Sequence, residues 1–372
     1  MNILYCFTFD YSLKTWNDSG SLDRELYYFQ KHYEQNGTKH TLLTYSGKED
    51  YKFLPDTEYL EIIPIYEIIK YSNNKIIRFI KSFFIPFFIK NLIIDIDVIK
   101  QNQLNGSWVP ILMKIIYKKP LYIRTGYDMY EFSILENKSR TKKLFFLNLT
   151  KLALKFSDLY SVTSRSDQNF LSKNFHLKNS KLLVRPNWIN FNKTTSKKHH
   201  QNTLVSVGRL EKQKNYLNLL EMLSGSNLSL HIYGNGSEKN DLINFSKNNN
   251  LDLNIFDVIP NEKLRLNLTK YSIFISNSIY EGNPKTILEA MAVGCVVVAS
   301  NIKNHSEIIE NGKTGVLFEK DDDLQKILKD LLSNNLKMKF LSDNALEYVK
   351  NNHHIDDLIS KEIEDIKNIV GC

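Results

Sequence analysis

Two carboxylates in the segment Tyr280–Gly294 are the residues whose types and spacing point most directly to chemistry. Glu281 follows a predicted strand, and Glu289 lies eight positions later in a predicted helix. Pro284 favours the start of that helix, because the first turn does not need the amide hydrogen that proline lacks. Carboxylates near the carboxyl end of a parallel strand face the crevice where doubly wound sheets bind ligands. There they can accept hydrogen bonds from sugar or ribose hydroxyls.

The start of the same helix also suits an anion. Backbone amides that follow Gly282 lie at the positive helix end, where phosphate groups bind readily. An acidic helix start that complements the helix dipole is the simpler interpretation, and it explains Glu281 but not the whole arrangement. Besides the two carboxylates, the residues expected to line a ligand here are Gly282, Asn283, Pro284, Lys285, Thr286 and Ile287.

Two cations follow an earlier predicted strand, 204–207. Arg209 comes directly after Gly208, and Lys214 comes five residues later. Such a pair can replace the counterions of a pyrophosphate and stabilise the charge that develops as it leaves. An isolated Arg/Lys pair is more often a solvated surface, but its place just after a strand favours a functional role.

These residues need a scaffold, and the chain supplies a regular one. Strand patterns alternate with amphipathic helical patterns throughout, which is typical of parallel sheets covered by helices on both faces. Two such series predict an α/β protein with two doubly wound domains, 1–186 and 187–353. The boundary is expected within 185–201, where Pro186 ends a strand and a polar, Lys- and His-rich stretch follows.

The pattern from Glu281 to Glu289, with Gly-Asn-Pro-Lys between, resembles the E-x7-E element of family-4 retaining glycosyltransferases. Their GT-B fold has two Rossmann-like domains that face each other across a cleft. The segment 204–215 resembles the element that opens their second domain. The resemblance is specific over 203–320 and loose over 1–190. It implies that Arg209 and Lys214 bind the donor diphosphate, with Glu289 also on the donor, and that Glu281 holds the sugar hydroxyls.

Further implications of the resemblance are more local. Tyr233 and Gly234 match the family's strand and glycine turn near the nucleoside; as a dinucleotide-binding fingerprint the turn fails, because Lys239 replaces the third glycine. In the family, the final helix crosses back to the first domain, so 354–372 is expected to pack there. Such enzymes generally need no metal, so we expect no cofactor beyond the nucleoside-diphosphate sugar that serves as donor substrate.

The first domain departs from the family pattern. The family's glycine-rich loop is represented by Gly20, which is expected to approach a phosphate or the acceptor. Where many relatives carry a histidine near the donor sugar, this chain has Gly126-Tyr127-Asp128. Asp128, Tyr127 or a backbone carbonyl would then contact the sugar, with Asp128 included among the catalytic candidates. A helix or turn cap is an equally good interpretation of Asp128.

The charge is unevenly distributed along the 372 residues, which carry a net +8. Residues 70–186 hold 21 Lys and Arg against 7 Asp and Glu. The difference, 14 positive charges, is larger than the net charge of +8 on the whole chain. This excess implies an anionic partner: a phosphate-bearing substrate, a membrane surface or nucleic acid. No nucleic-acid recognition motif is present, so we expect no nucleic-acid partner.

The most apolar segment, 75–94, is interrupted by Arg78, Lys81 and Lys90. Its uninterrupted apolar stretch, 82–89, is much shorter than the span of about 20 residues that crosses a membrane. Two interpretations remain open. The segment is a core helix broken at Pro86, or it is an interfacial segment that places aromatic side chains in a bilayer. Three scattered cysteines and no signal-peptide pattern predict a cytoplasmic protein, peripheral at the inner face of the cell membrane in the second case.

Metal-binding patterns are weak. Asp95-Ile-Asp97 mimics the metal-binding motif of another glycosyltransferase architecture, but it opens a first-domain strand and is interpreted as a strand-entry feature. The pairs His199-His200 and His353-His354 lack the spacing of a helical ligand pair and are interpreted as surface residues.

The resulting prediction is a retaining hexosyltransferase that moves a sugar from a nucleotide sugar to a hydroxyl of a glycan or lipid-linked acceptor. Assembly of a bacterial surface polysaccharide or lipopolysaccharide is the expected setting. The alternatives are a GT-B epimerase of the sugar nucleotide and a non-catalytic relative that binds glycans or membranes. An NAD-dependent oxidoreductase is disfavoured, because no G-x-G-x-x-G follows the first strand.

Overall fold

The computed structural model describes residues 1–175, 182–191 and 200–371. It divides into two compact units, Met1–Pro186 with Asp356–Cys372, and Asn187–Ile355. Most of the polar stretch expected at the domain boundary, 192–199 with His199, lies outside the described residues, as does Cys372 at the end of the expected final helix.

The first unit is built on a parallel sheet, which has seven strands within the described residues, in the order β3-β2-β1-β4-β5-β6-β7. The strands are β1 Asn2–Cys6, β2 Lys39–Thr44, β3 Leu60–Pro64, β4 Val98–Asn102, β5 Leu121–Thr125, β6 Leu159–Val162 and β7 Leu182–Val184. The helices are α1 Leu13–Asp18, α2 Leu22–Asn36, α3 Ile65–Ile68, α4 Lys75–Ser82, α5 Ile85–Phe88, α6 Lys90–Ile93, α7 Trp108–Tyr117, α8 Met129–Leu135, α9 Arg140–Phe156 and α10 Arg165–Phe175.

The second unit has a parallel sheet in which the described residues form six strands, in the order β10-β9-β8-β11-β12-β13. The strands are β8 His200–Val207, β9 Ser229–Tyr233, β10 Leu253–Phe256, β11 Tyr271–Ser276, β12 Val296–Ser300 and β13 Val316–Phe318. The helices are α11 Tyr216–Leu223, α12 Lys239–Asn248, α13 Asn261–Leu268, α14 Lys285–Ala292, α15 Lys303–Ser306, α16 Leu324–Leu332 and α17 Asn335–Asn352, and the chain ends in α18 Ile355–Val370.

Alternation along the central strands of the second sheet explains its two covered faces. Leu204, Ile273 and Val296 belong to one buried cluster, which includes residues of α11 and α16. Their neighbours in sequence, such as Val205 and Phe274, belong to a second cluster with residues of α14 and α17. Successive side chains of a strand point to opposite faces, so a sheet buried on both sides needs continuous apolar strands. The predicted fold class, α/β with two Rossmann-like domains, is confirmed.

The sheet order of the second unit reverses at β8. The chain runs from β8 outward to β9 and β10, and then returns to place β11 on the other side of β8. The loops that leave the carboxyl ends of β8 and β11 therefore diverge from neighbouring strands, which is where doubly wound sheets bind ligands.

Helix α18 packs on the first unit through one buried and one partly buried ion pair. Glu362 lies against Lys100 of β4 and Tyr28 of α2, and Asp365 makes two hydrogen bonds to the Arg185 guanidinium, of 2.6 and 2.7 Å. Acidic residues of the tail thus meet cations of the basic 70–186 region.

Two smaller predictions concern residues outside the site. The interpretation of His353 as a surface residue is wrong: the ring is buried, and its Nδ1 donates a 2.7 Å hydrogen bond to the carbonyl of Asn187. The sequence around the turn between α17 and α18 has no local sign of this, because the partner is 166 residues away. Asp97 accepts a 2.7 Å hydrogen bond from the amide of Asn2, consistent with a strand-entry role.

Candidate active site

The loops after β8 and β11 are joined by backbone and side-chain hydrogen bonds. Within the short 3-10 helix Lys212–Lys214, Gln213 accepts a 2.9 Å hydrogen bond from the amide of Ile279 through its carbonyl. Its side-chain amide donates a 2.8 Å hydrogen bond to the carbonyl of Tyr280. These contacts bring the segment with the predicted cations next to the segment with the first predicted carboxylate.

Lys214 and Glu281 form an ion pair at this junction. Their side chains are only 15% and 11% exposed, and Ser278 donates a further 2.7 Å hydrogen bond to the same Glu281 oxygen. Burial alone would raise the pKa of Glu281; the charge and hydrogen bond of Lys214, with help from Ser278, outweigh it and leave that pKa below its usual value. The site therefore holds an ionised carboxylate beside an ammonium group in a largely water-excluded position.

Arg209 lies at the edge of the same junction and is exposed to solvent. Its guanidinium donates a 3.3 Å hydrogen bond to the side-chain oxygen of Gln213. Gln213 thus contacts Arg209 on one side and the Glu281 loop on the other. The structure brings Arg209, Lys214 and Glu281 together, with one cation buried in an ion pair and the other open to solvent.

Glu289 is placed differently from Glu281. It lies in the second turn of α14, is almost completely buried, and accepts a 2.8 Å hydrogen bond from the side-chain amide of Asn261. Sequence spacing identified the carboxylate but not its partner on α13, 28 residues earlier.

The first turn of α14 is held by residues from the start of the unit. Asn187 donates two hydrogen bonds to Asn283, which precedes the N-cap of the helix: its backbone amide donates one of 3.2 Å to the side-chain oxygen, and its side-chain amide donates one of 2.7 Å to the backbone carbonyl. The ammonium group of Lys285 lies 5.8 Å from the ring centre of Trp188. Pro284 is the N-cap residue rather than the first helical one, and Ile287 is fully buried in the core. A ligand could therefore meet Ile287 only through its backbone, and Gly282 and Thr286 are both partly exposed.

Glycines shape the floor of the site. A methyl group added to Gly234, after β9, would lie 1.9 Å from the carbonyl oxygen of Gly208, after β8. A methyl group added to Gly208 would lie 2.7 Å from the Lys214 side chain. Tyr233 next to this turn stacks on Phe256, with ring centres 4.9 Å apart. The two loops touch backbone to backbone, which only glycine permits.

We therefore expect Gly234→Ala to lower the free energy of unfolding by about 1–3 kcal/mol, because the loops after β8 and β9 must separate to admit the methyl group. The same separation would displace Lys214 and weaken nucleotide binding. Urea unfolding and nucleotide titration measure the two effects. Gly47→Ala is the matched control, since a methyl group there would meet only the end of the Glu49 side chain. Equal unfolding midpoints for both variants would show that the close approach is not needed.

Sequence reasoning missed His305, which lies in α15, just after β12. The ring is fully buried, and Nδ1 donates a 2.8 Å hydrogen bond to the Ser300 carbonyl. Burial is the main cause that lowers the pKa of His305 to about 4. The negative charge of Glu281 raises this pKa, and the positive charge of Lys214 lowers it further. At neutral pH the imidazole is uncharged, with its proton on Nδ1. No spacing rule signals this residue, because it joins the site only through the fold of β12 and α15.

The first-unit candidates lie in a different setting. Gly20 has a left-handed φ of 69° in the turn between α1 and α2, one helix beyond the end of β1. Asp128 is the N-cap of α8: one oxygen accepts a 2.8 Å hydrogen bond from the amide of Glu131, and the other a 3.4 Å bond from Thr150. Its side chain is fully buried, and burial raises the pKa of Asp128 to about 6. This geometry fits the capping interpretation rather than contact with a sugar.

Neither a cluster of metal ligands nor a membrane-spanning helix lies within the described residues. Among 1–175, 182–191 and 200–371, no three His, Cys, Asp or Glu side chains are grouped as metal ligands. Across the same ranges, every helix is too short or too polar to cross a bilayer.

Comparison with known proteins gives the chemistry a family context. Residues 189–348 match the family of glycosyl transferases group 1. The chain is 26% identical over 277 residues to an N-acetylgalactosamine-N,N'-diacetylbacillosaminyl-diphospho-undecaprenol 4-alpha-N-acetylgalactosaminyltransferase of Campylobacter jejuni, covering 70% of this chain and 74% of that protein. It is 28% identical to an amylovoran biosynthesis glycosyltransferase of Erwinia amylovora, over 56% and 61% of the two chains.

Solved structures show the same fold over the whole length. A sucrose-phosphate synthase from Thermosynechococcus elongatus aligns with a TM-score of 0.81 at 14% identity, covering 100% of both chains. The Anabaena HepE protein in complex with UDP and glucose aligns with a TM-score of 0.77 at 15% identity, covering 99% of this chain and 100% of the other. The match over the second unit and the relatives named as glycosyltransferases show that the chain is a glycosyltransferase, and the solved structures show that its fold is GT-B.

Proposed function

We propose that this enzyme transfers a sugar, with retention of anomeric configuration, from a nucleoside-diphosphate sugar to a hydroxyl of a lipid-linked or glycan acceptor in bacterial surface polysaccharide assembly. The observation that carries the proposal is the junction of the loops after β8 and β11. There a buried Lys214–Glu281 pair adjoins the exposed Arg209 at the switch point of the sheet. Cations and a carboxylate so placed match the diphosphate and the hydroxyls of one ligand.

Each group has a role in the proposed reaction. Arg209 and Lys214 bind the diphosphate, and Glu281 accepts hydrogen bonds from the sugar hydroxyls. The bond between the anomeric carbon and the diphosphate oxygen breaks while the acceptor oxygen bonds to that carbon from the same face. The acceptor's proton passes to the departing diphosphate. The two cations, together with amides at the start of α14, stabilise the charge that develops on that diphosphate. No metal or further cofactor enters this scheme.

The relatives support the finer points of the proposal. The Campylobacter protein is named for an alpha linkage and for a diphospho-undecaprenol acceptor. Other relatives are named for lipopolysaccharide and capsular polysaccharide, and the Anabaena structure contains UDP. They favour a lipid-linked acceptor and a uridine nucleotide donor here, and they favour transfer over epimerisation. The family-4 resemblance and the E-x7-E motif support the retaining outcome.

Hydrolysis of a panel of nucleotide sugars, beginning with UDP-sugars, tests the donor half of the proposal. We expect Arg209→Ala to reduce the rate by about 10²–10³-fold, which is typical when one group that stabilises developing charge is lost. Lys212→Ala is the matched control, because it removes an exposed cation three residues away and should change the rate less than about twofold.

The outcome that opposes the proposal is equally clear. If Arg209→Ala hydrolyses the preferred donor as fast as Lys212→Ala, the cation is not on the diphosphate. If the wild-type enzyme releases nucleotide from no donor, with or without undecaprenyl-diphosphate-linked sugar, the proposed reaction fails.

A further inference from the structure

The segment of α4, α5 and α6 carries an unusual set of exposed apolar side chains. Ile76 is 68% exposed, Ile80 and Phe84 are 54% exposed, and Phe87 and Phe88 are 60% and 59% exposed. Single exposed apolar residues are common on proteins, but a contiguous group marks a binding surface.

The fold does not use this outer face of α4, because the inner face already holds the helix in place. Phe79 packs on Trp108, with ring centres 4.9 Å apart, and Ser82 accepts a 2.7 Å hydrogen bond from the indole of Trp108. Arg78 makes two hydrogen bonds to Asp10, of 2.9 and 2.8 Å. Ile76 and Ile80, one helical turn apart on α4, stay more than half exposed, as does Phe84 just after the helix.

Neighbouring helices extend the apolar group. Tyr117 of α7 donates a 2.9 Å hydrogen bond to the carbonyl of Pro86, which places the exposed Ile115 and Ile116 in the same region. On α9, the exposed Phe145 lies 6.2 Å from Phe79, ring centre to ring centre. We call this set the apolar–basic surface; it comprises the exposed side chains Ile76, Ile80, Phe84, Phe87, Phe88, Ile94, Ile115, Ile116, Leu144 and Phe145 and the cations described next.

Cations surround the apolar side chains, and acidic residues are scarce. The stretch 68–94 contains five Lys and Arg and no Asp or Glu. Lys118 and Lys119 directly follow α7, and the Lys119 ammonium donates a 2.9 Å hydrogen bond to the carbonyl of Ile94. Arg140, Lys142 and Lys143 occupy the first turn of α9. Most of the basic excess of the chain therefore borders one apolar region.

We propose that the apolar–basic surface docks on an anionic lipid bilayer, with Phe84, Phe87 and Phe88 in the interface and the surrounding lysines and arginines at lipid phosphates. Such a combination of apolar side chains and cations is what interfacial binding requires. A second copy of the chain fits poorly, because pairing two such surfaces would bring their cations together without acidic partners. This docking rests on the proposed function only for its purpose, which is to present a lipid-linked acceptor.

Co-sedimentation with vesicles tests the docking without nucleotide or acceptor. Wild-type protein is mixed at low salt with phosphatidylcholine vesicles that contain either no anionic lipid or about 30% phosphatidylglycerol, the anionic lipid that attracts basic segments. We expect binding to the anionic vesicles alone, and its loss as added salt screens the charges.

The combined variant Phe84→Ser, Phe87→Ser and Phe88→Ser should bind about a hundredfold more weakly, since three exposed aromatic side chains no longer enter the interface. Lys75→Gln and Lys90→Gln should each weaken binding to the anionic vesicles about fivefold at low salt.

A matched control comes from the second unit, where Leu336 and Phe340 are 83% and 53% exposed. The variant Leu336→Ser, Phe340→Ser should bind vesicles like wild type, and both combined variants should keep the wild-type unfolding temperature. Wild-type protein that ignores anionic vesicles overturns the proposal, as does a triple variant that binds equally well. Self-association that the triple variant abolishes, seen by sedimentation equilibrium, would assign the surface to a second copy instead. If the docking behaves as expected while no donor is hydrolysed, the proposed function fails and the docking stands.

Discussion

Glu281→Gln and Lys214→Met are each expected to reduce donor hydrolysis by at least about a hundredfold, and to lower the free energy of unfolding by about 1.5–3 kcal/mol. Each substitution leaves the other charge buried without its counter-charge, because both side chains are largely shielded from water. The glutamine side chain keeps the shape of the glutamate, so the loss measures charge rather than packing.

The double variant separates the two effects. With both charges removed, no uncompensated charge is left, so stability should recover much of the loss. Activity should not recover, because neither the diphosphate nor the sugar hydroxyls find their partners. Urea unfolding gives the coupling energy, and nucleotide release gives the rates.

An exposed ion pair in the same unit supplies the control. Lys239 and Asp257 are 33% and 81% exposed and lie 3.2 Å apart. The same comparison of single and double variants, made with Lys239→Met and Asp257→Asn, should give a coupling energy of about 0–1 kcal/mol for unfolding. The rates of nucleotide release should not change. A Lys214, Glu281 double variant that regained activity would contradict the roles proposed for both residues.

Glu362→Ala is expected to destabilise the first unit by about 3–5 kcal/mol, as removal of one partner from a buried ion pair generally does. Glu362 accepts hydrogen bonds from Lys100 and Tyr28, and its oxygen lies 3.4 Å from the His32 ring. The Lys100 ammonium also lies 4.6–5.6 Å from the centres of three tyrosine rings, so water cannot easily replace the carboxylate. Glu364→Ala, on the exposed side of the same helix, is the control.

Fluorescence isolates the unit concerned. Of the three tryptophans, Trp16 and Trp108 belong to the first unit and Trp188 to the second, so a Trp188→Phe background reports the first unit. Urea midpoints in that background should fall for Glu362→Ala and stay near the parent for Glu364→Ala. Equal midpoints would mean that α18 is not held by this ion pair.

The same network predicts how acid acts on the first unit. Burial lowers the pKa of His32 and His40, so the unfolded chain takes up these protons first and stability falls as the pH drops below about 6.5. Burial opposes ionisation of Glu362, but Lys100 and His32 outweigh it and hold its pKa well below the usual value. The contribution of the Glu362 carboxylate to the stability of the first unit is therefore fully present above about pH 4.3 and is lost as the pH falls further. The difference between wild type and Glu362→Ala should be largest above pH 5 and narrow below pH about 4.3.

Local patterns in the sequence determined the architecture. Strand and helix patterns alternate along the chain, as in the apolar run of β12 next to the apolar stripe of α14. These patterns reflect backbone periodicity, so they can be identified without knowing which segments are in contact. The same holds for Glu281, Arg209 and Lys214, which lie on loops at strand ends, where their neighbours along the chain reveal their setting. The GT-B fold and the glycosyltransferase class are accordingly confirmed, whereas the role of each site residue remains a prediction.

Contacts between distant segments were decided by the tertiary structure alone. Strand order puts β8 beside β11, and only that neighbourhood pairs Lys214 with Glu281, which lie 67 residues apart. The packing of the second unit also buries His305 near them, and the packing of the first unit joins Glu362 to Lys100 across 262 residues. Periodicity along a chain says which face a side chain takes, but its partner depends on which strands become neighbours. That choice is made by the packing of the whole unit.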